Sequence, residues 1–474
     1  MPVVDRNMYT YQIILLLLAV FNVVLSDKSC YWNSECPYLM YATKTPYDSI
    51  RGDIRDFPSI PNCEVRSVWA LIRHGNRNPS GTVTGEMNEL QAKIKHEIIA
   101  SYEAGNNSLC AQDIQDLRAW TWNSTMDVSE SYLTGTGYEE IYDMAKRIRE
   151  KYPHLLAGTE EHFYFRPTYK QRTVASAMAF VHGLTEGTNL NLTADEPLER
   201  DDMLRPYDNC DRYQEDVKGG QPLADELEAF WRTEEYVAMQ QGVQKRLGIP
   251  TQLTAAEVYT LHELCRFYRS WSPTLRSPWC AAFTNEDLVV IEYRDDVRHF
   301  QRNGYASTIN AKLGHFVLRD MYENFAASVQ GEGRNLVSYF AHDTLMEMTF
   351  CALGLFRDPE GIAAAVRNPN RQWRTSLIAP FSTNIMAVLN RCETANDVSH
   401  RVQFFINEKL TSLCPLEGCS WEQFSSIFTP FTDTTLEFCR RDYRQPDEPV
   451  TGSSVAISGS MILFAALTIV RYLM

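Results

Sequence analysis

Three short apolar runs punctuate the chain: Val65 to Ile72, His162 to Arg166 and Leu336 to Phe340. Each is rich in β-branched or aromatic residues and short enough to be a buried strand. Amphipathic stretches lie between and after them. Glu86 to Tyr102 places apolar residues at 87, 90, 94 and 98. Tyr138 to Tyr152 does so at 141, 144, 145 and 148 and stops at Pro153. Arg172 to Leu184 does so at 174, 177, 178, 181 and 184. This spacing predicts helices. A further helix is expected from Thr344 to Leu353, closed by Gly354. The stretch 195–333 reads as mostly helical, and 105–127, with two tryptophans and few long apolar runs, as a surface insertion.

Each of the three expected strands leads into a charged or acid–base group. Val65 to Ile72 runs into Arg73-His74-Gly75-Asn76-Arg77-Asn78-Pro79. His162 to Arg166 leads towards Arg172 at a helix start, and Leu336 to Phe340 leads to His342 and Asp343. In open α/β sheets ligands bind beyond the carboxyl ends of strands, so these segments can converge. A histidine between two arginines is a poor device for stability. The guanidiniums repel one another and lower the imidazole's pKa unless an anion joins them. Phosphate fits, because the planar guanidinium fork matches it bidentately. A neutral imidazole beside it can attack phosphorus. A neighbouring carboxylic acid can protonate the departing alkoxide and later activate water. Three arginines and two imidazoles cover the phosphoryl oxygens, so this chemistry requires neither metal nor cofactor.

Composition adds boundaries. The chain has 474 residues, 44% hydrophobic and 22% charged, with a formal net charge of −15. That balance suits a large globular core and is unlike a nucleic-acid binder, whose footprint is basic. It admits an anionic substrate, because a local basic pocket can sit on an acidic surface. Residues 1–26 resemble a secretory signal, with Arg6 before an apolar stretch and Val24 and Ser26 at the cleavage positions. Twelve cysteines between Cys30 and Cys439 allow up to six disulfides in an oxidising compartment, with Cys414 and Cys419 close enough for a local bridge. There is no C-x-x-C or H-E-x-x-H pattern for a metal. Sequons at Asn106, Asn123 and Asn191 favour an exported, glycosylated protein. At the far end, a polar stalk (441–454) holds the small residues Gly452, Ser453 and Ser454. The apolar tail 455–474 follows, its apolar core spanning 16 residues from Val455 to Val470. This favours a GPI attachment signal at the outer cell surface over a transmembrane helix, which prefers about 20 apolar residues. No obligate protein partner is indicated.

Arg-His-Gly-x-Arg-x-Pro at 73–79 resembles the signature of the histidine acid phosphatases. The resemblance implies His74 as nucleophile and Arg73 and Arg77 as phosphate ligands. "QRTVASAMAFVHGL" (171–184) is similar to the segment carrying the family's third phosphate-binding arginine, here Arg172. The His-Asp pair implies His342 as a further ligand and Asp343 as proton donor. "RPYDNCDRY", "SPWCAAFTNEDLVVIEYRDDVRHFQRNGYASTIN", "ALGLFRD" and "WRTSLIAPFSTNIMAVLNRC" resemble the multiple inositol polyphosphate phosphatases over about residues 60–430. The implied reaction is stepwise removal of phosphate from inositol hexakisphosphate and lower inositol polyphosphates. A 2,3-bisphosphoglycerate phosphatase activity is also associated with that family. The implied fold is α/β, a histidine-phosphatase-like core sheet flanked by helices with a mostly helical cap. The domain would span 27–440, its core roughly 60–85, 156–195 and 334–440, and its cap 86–155 and 200–330. One departure stands out: those enzymes usually carry His-Ala-Glu, and Thr344 stands at the Glu position here. Asp343, or Glu347 one turn later, then supplies the proton, with Asp343 favoured. Asn76 and Asn78 replace residues more often Thr and Tyr, a change expected to alter how the substrate ring is held. Alternative readings are a broad-specificity acid phosphatase and an inactive cell-surface binding ectodomain.

Overall fold

A computed structural model describes residues 30–31, 37–272, 277–395 and 397–442. The expected signal segment and apolar tail lie outside these residues. At the centre is a mixed sheet. Its strands are β1 (Cys63–Arg73), β2 (Phe163–Pro167), β3 (Leu336–Ala341), β4 (Asn384–Glu393), β5 (Val398–Ile406), β6 (Lys409–Leu410) and β7 (Cys419–Ser420). The order is β2-β3-β1-β4-β5-β6, with β7 paired to β5. β2, β3 and β1 are parallel, whereas β4 and β5 continue the sheet antiparallel.

Helices α1 (Gly81–Glu103), α3 (Gly135–Lys151) and α4 (Gln171–Thr185) follow the expected positions with small extensions, and α2 (Ala111–Ala119) lies where none was expected. Then come α5 (Gln221–Phe230), α6 (Glu234–Leu247), α7 (Ala255–Trp271), α8 (Asn285–Asn303), α9 (Thr308–Val329) and α10 (Asp343–Ala352). The two-residue period of β1 divides the interior. Trp69 and Leu71 join the large cluster formed with α1 and α5 to α9. Val68, Ala70 and Ile72 face the other way, onto Ile141, Met144, Ala145 and Ile148 of α3 and Ala177, Phe180 and Leu184 of α4.

Three corrections follow from this packing. The helix α3, grouped with the cap by sequence position, belongs to the sheet's second face, because its apolar stripe is covered by α4 and the strands. The stretch 105–127 is no loose insertion. Cys110 is bonded to Cys30, α2 follows, and Leu109, Ile114, Leu117 and Met126 are buried in the cap core. The strands β4 and β5 extend the sheet well beyond the three apolar runs. Among the described cysteines five disulfides form: 30–110, 63–392, 210–439, 265–280 and the local 414–419. Cys351 is buried and unpaired, so the full count of six is not reached within the described residues, and Cys36 lies outside them.

Register brings the functional segments together. Arg73 pairs with Ala341, and Pro167 with Phe340, so three parallel strands end on one line. The residues that follow each strand therefore share one edge of the sheet.

Candidate active site

Arg73, the last residue of β1, is fully buried. Its Nη1 donates to the carbonyls of Thr43 (2.6 Å) and Ala379 (2.9 Å), and its guanidinium lies 4.8 Å from the Phe381 ring centroid. Nε and Nη2 make no hydrogen bond within the protein, although Nη2 is 3.4 Å from Asp343 Oδ2. The next residue, His74, is 2% exposed. Its Nδ1 lies 2.8 Å from the Gly75 carbonyl, which can only accept. The proton therefore sits on Nδ1, and Nε2 carries the free lone pair. Burial, with Arg172, Arg73, His342 and Arg77 around it, holds the imidazole's pKa well below the usual histidine range. A neutral nucleophile is thereby secured into acidic solution.

The turn after His74 is locked by a close approach. A Cβ on Gly75 would meet the Gly137 carbonyl oxygen at 2.2 Å, and one on Gly137 would meet the Asn76 carbonyl at 2.1 Å. Only glycine at both positions lets the loop lie on the start of α3. Glu140 of α3 completes the clamp, accepting from the Asn76 N–H (2.9 Å) and the Ser382 hydroxyl (2.7 Å). Burial pushes this carboxyl up to about 7. The amides of Asn76 and Asn78 are both engaged by hydrogen bonds within the protein. Asn76 donates to the Ser270 carbonyl (2.8 Å), and Asn78 bonds Ser129 Oγ (2.7 Å). Their difference from the usual Thr and Tyr is thus spent on anchoring the loop to α7 and to the 129–134 turn.

Arg77 donates from Nη1 to the Asn78 carbonyl (2.7 Å), while its buried Nε has no partner. Burial and the neighbouring Arg172 and Arg73 push it down to about 9. Arg172 lies in the first turn of α4. Its Nη2 is 3.4 Å from His342 Nδ1, and its Nε is likewise buried without a partner. Three guanidiniums thus hold unspent donors around one imidazole. At about 4 Å and an effective dielectric of 20, two such charges repel by about 4 kcal/mol. A bound dianion turns that repulsion into attraction.

His342 caps α10 and is buried against the nucleophile, their ring centroids 5.6 Å apart. Its Nε2 is 3.0 Å from Thr168 Oγ1, whose hydroxyl is held in turn by Thr173. Since Arg172 only donates, Nδ1 of His342 accepts and Nε2 carries the proton. Asp343 follows in the first turn of α10, its Oδ1 accepting from the Thr344 N–H at 2.9 Å. Burial raises its pKa, but Arg73, His299, His74 and Lys44 outweigh that and hold the carboxyl well below the usual range. All six residues singled out in the sequence therefore meet at one sheet edge. Glu347, the rival acid, is engaged elsewhere: fully buried, it accepts from His299 Nδ1 (3.0 Å) and Asn303 Nδ2 (2.6 Å).

Sequence reasoning missed Lys44. Its segment, with prolines and no periodicity, reads as an irregular approach to β1. Folding lays it beside Arg73, which bonds the Thr43 carbonyl, and Lys44 Nζ donates to Thr43 Oγ1 at 3.0 Å. Burial, then Arg266, lower this ammonium to about 7, despite the acids Glu263 and Asp295. Its charge is felt at Asp343. Arg205 was missed too. Its guanidinium stacks 4.3 Å from the Tyr169 ring centroid, and it acts on both Arg172 and His342. No signal along the chain marks Lys44, whereas Arg205 opens the RPYDNCDRY segment noted for its resemblance, without a role assigned to it.

Buried arginines around a neutral histidine, with an acid beside them, define a phosphoryl-transfer site. In agreement, residues 64–407 match the family profile of the histidine phosphatase superfamily (branch 2), and the chain belongs to that family. It is 28% identical to multiple inositol polyphosphate phosphatase 1 of Drosophila melanogaster, over 98% of this chain and all of that protein. Identity to the Homo sapiens protein of the same name is 25%, over 80% of this chain and 83% of the other. Among solved structures, the fold is similar to the Bifidobacterium longum multiple inositol polyphosphate phosphatase in complex with inositol hexasulfate. The TM-score is 0.61 at 13% identity, covering 80% of this chain and 94% of that one.

Proposed function

We propose that this chain is a phosphomonoesterase that removes phosphates from inositol hexakisphosphate and lower inositol polyphosphates through a phosphohistidine at His74. The observation that carries the reading is the His74 tautomer, an imidazole whose Nε2 lone pair is free amid three arginines with unspent donors. The substrate class rests on the similarity to the multiple inositol polyphosphate phosphatases. Lys44 and Arg205 support it, because a polyanion needs cations beyond those on the scissile phosphate.

The reaction runs in two halves. Arg73, Arg77, Arg172 and His342 hold the phosphate oxygens. His74 Nε2 attacks phosphorus, the P–O bond to the inositol carbon's oxygen breaks, and Asp343 gives that oxygen its proton. Water then attacks the phosphohistidine, Asp343 takes one of its protons, and the P–N bond breaks to release inorganic phosphate.

The test is phosphate release from inositol hexakisphosphate by the 27–452 ectodomain with a chelator present, beside an aryl phosphate. Strong chelator-resistant release with preference for the inositol ester is expected. Activity on the aryl ester alone would indicate a general acid phosphatase, and binding without turnover an inactive ectodomain.

The chain is further proposed to be exported, glycosylated and GPI-anchored at the cell surface. Exposure of Asn106, Asn123 and Asn191 and the disulfides support export. Among the described residues no helix is long and apolar enough to cross a membrane, and the attachment signal lies outside them. Phosphatidylinositol-specific phospholipase C is expected to release the protein from intact cells. Retention after digestion would mean a spanning tail.

A further inference from the structure

The segment that joins β2 to α4 touches the active site at both its ends. Thr168 Oγ1 lies 3.0 Å from His342 Nε2, and Arg172 Nη2 lies 3.4 Å from His342 Nδ1. Between them the chain turns outward, leaving Tyr169 46% exposed. Two cations gather on that one ring, the Arg205 guanidinium 4.3 Å and the Lys170 ammonium 4.7 Å from its centroid. Arg205 arrives from a distant part of the chain, just before the turn Pro206–Asn209, which the 210–439 disulfide fastens. Its Nη2 is paired with Asp208, while its Nε is buried without a hydrogen-bond partner. Among the described residues Asp208 is the only acid ion-paired with either cation. For stability this is a poor arrangement. An exposed cation–π contact contributes about 0.5–1 kcal/mol, and two cations brought to one ring repel each other.

We propose that Tyr169, Lys170 and Arg205 form a second anion subsite, which holds the phosphate ester next to the scissile one on the inositol ring. This rests on the inositol polyphosphate reading and gives the recognition of a second phosphate to one wall of the cleft. Tyr169 follows Thr168 directly, and Lys170 is two residues from Arg172. A phosphate seated on them therefore lies beside the one held by His342 and Arg172. Arg205 Nε and the Lys170 ammonium donate to its oxygens, and the Tyr169 ring keeps both side chains aimed at it. Arg205 is already ordered, its side chain only 14% exposed, which lowers the entropy cost of binding. A simple monoester bound at His74 has no group to place there, so the subsite favours polyphosphates.

The test is calorimetric binding of inositol hexasulfate to the mature protein. Beside it stands competitive inhibition of aryl phosphate turnover by inorganic phosphate, which fills the scissile position alone. Arg205→Gln should weaken hexasulfate binding about tenfold more than it weakens phosphate inhibition, and Lys170→Gln about threefold more. Lys170→Glu should exceed Lys170→Gln, and this half-buried surface position keeps the test available if Arg205→Gln does not fold. Folded variants that lose equally on both ligands, or that bind the hexasulfate like the wild type, overturn the subsite. A wild type that itself binds the hexasulfate no more tightly than inorganic phosphate overturns the polyphosphate reading, and the subsite with it.

Discussion

Replacing His74 by alanine is expected to lower kcat by about four orders of magnitude or more, with inositol hexakisphosphate binding changed only a few-fold. The size follows from what His74 contributes. Its Nε2 supplies the lone pair that forms the P–N bond, and no other described neutral nucleophile faces the arginines: His342 spends both ring nitrogens on Thr168 and Arg172. Ground-state affinity comes from Arg73, Arg77 and Arg172, which the substitution leaves in place. Steady-state turnover and calorimetric binding on the same preparation check both halves. Acid-labile phosphoenzyme should be trapped in the wild type and be absent from the variant. Loss of affinity in step with loss of rate would point to a collapsed loop, and retained turnover would remove His74 from the mechanism.

The second large effect is expected at Asp343. Asp343→Asn should reduce kcat on inositol phosphates by about 10²- to 10⁴-fold, and on an aryl phosphate by much less. An inositol alkoxide is a very poor leaving group unless protonated, whereas a phenolate departs readily without help. The pH dependence has a definite sign. In the free site the cations around Asp343 favour its carboxylate. A bound phosphate dianion cancels their field and adds its own charge, raising the carboxyl's pKa. The acid form then exists below the raised value, so rate falls as pH rises through it. In the free site His74 is neutral above its depressed pKa, which places the opposite limb of kcat/KM towards acid. An acidic working range follows, and Asp343→Asn should erase the alkaline limb. Equal losses on both substrates would instead favour a purely structural role.

The thiols illustrate how far counting along a chain can go. An even number of cysteines allowed up to six bridges, and the expected local 414–419 bridge is there. Cys351, however, sits on the buried face of α10 with no described cysteine as partner. The Asn76 and Asn78 positions show the same limit: substitution in a signature loop suggested altered substrate contacts, whereas both amides point into the loop's supports.

What the sequence by itself determined is the chemistry. Val65 to Ile72 is apolar enough to be a buried strand in any fold, and Arg73-His74-Gly75-x-Arg77 at its end has few uses other than phosphate. Periodicity placed Arg172 and the His342–Asp343 pair at element ends, but their roles came from the resemblance to the histidine acid phosphatases, since either alone reads as an ordinary surface turn or helix start. Tertiary structure alone decided which charges surround that chemistry. Lys44 reaches the site only because its segment runs beside Arg73, and Glu140 because α3 lies on the sheet face that receives the catalytic loop. His299 and Glu347 meet because α8 crosses α10. Periodicity reports which face of an element is buried. It carries no information on what that face meets dozens or hundreds of residues away, and in a buried site those distant neighbours set every proton affinity.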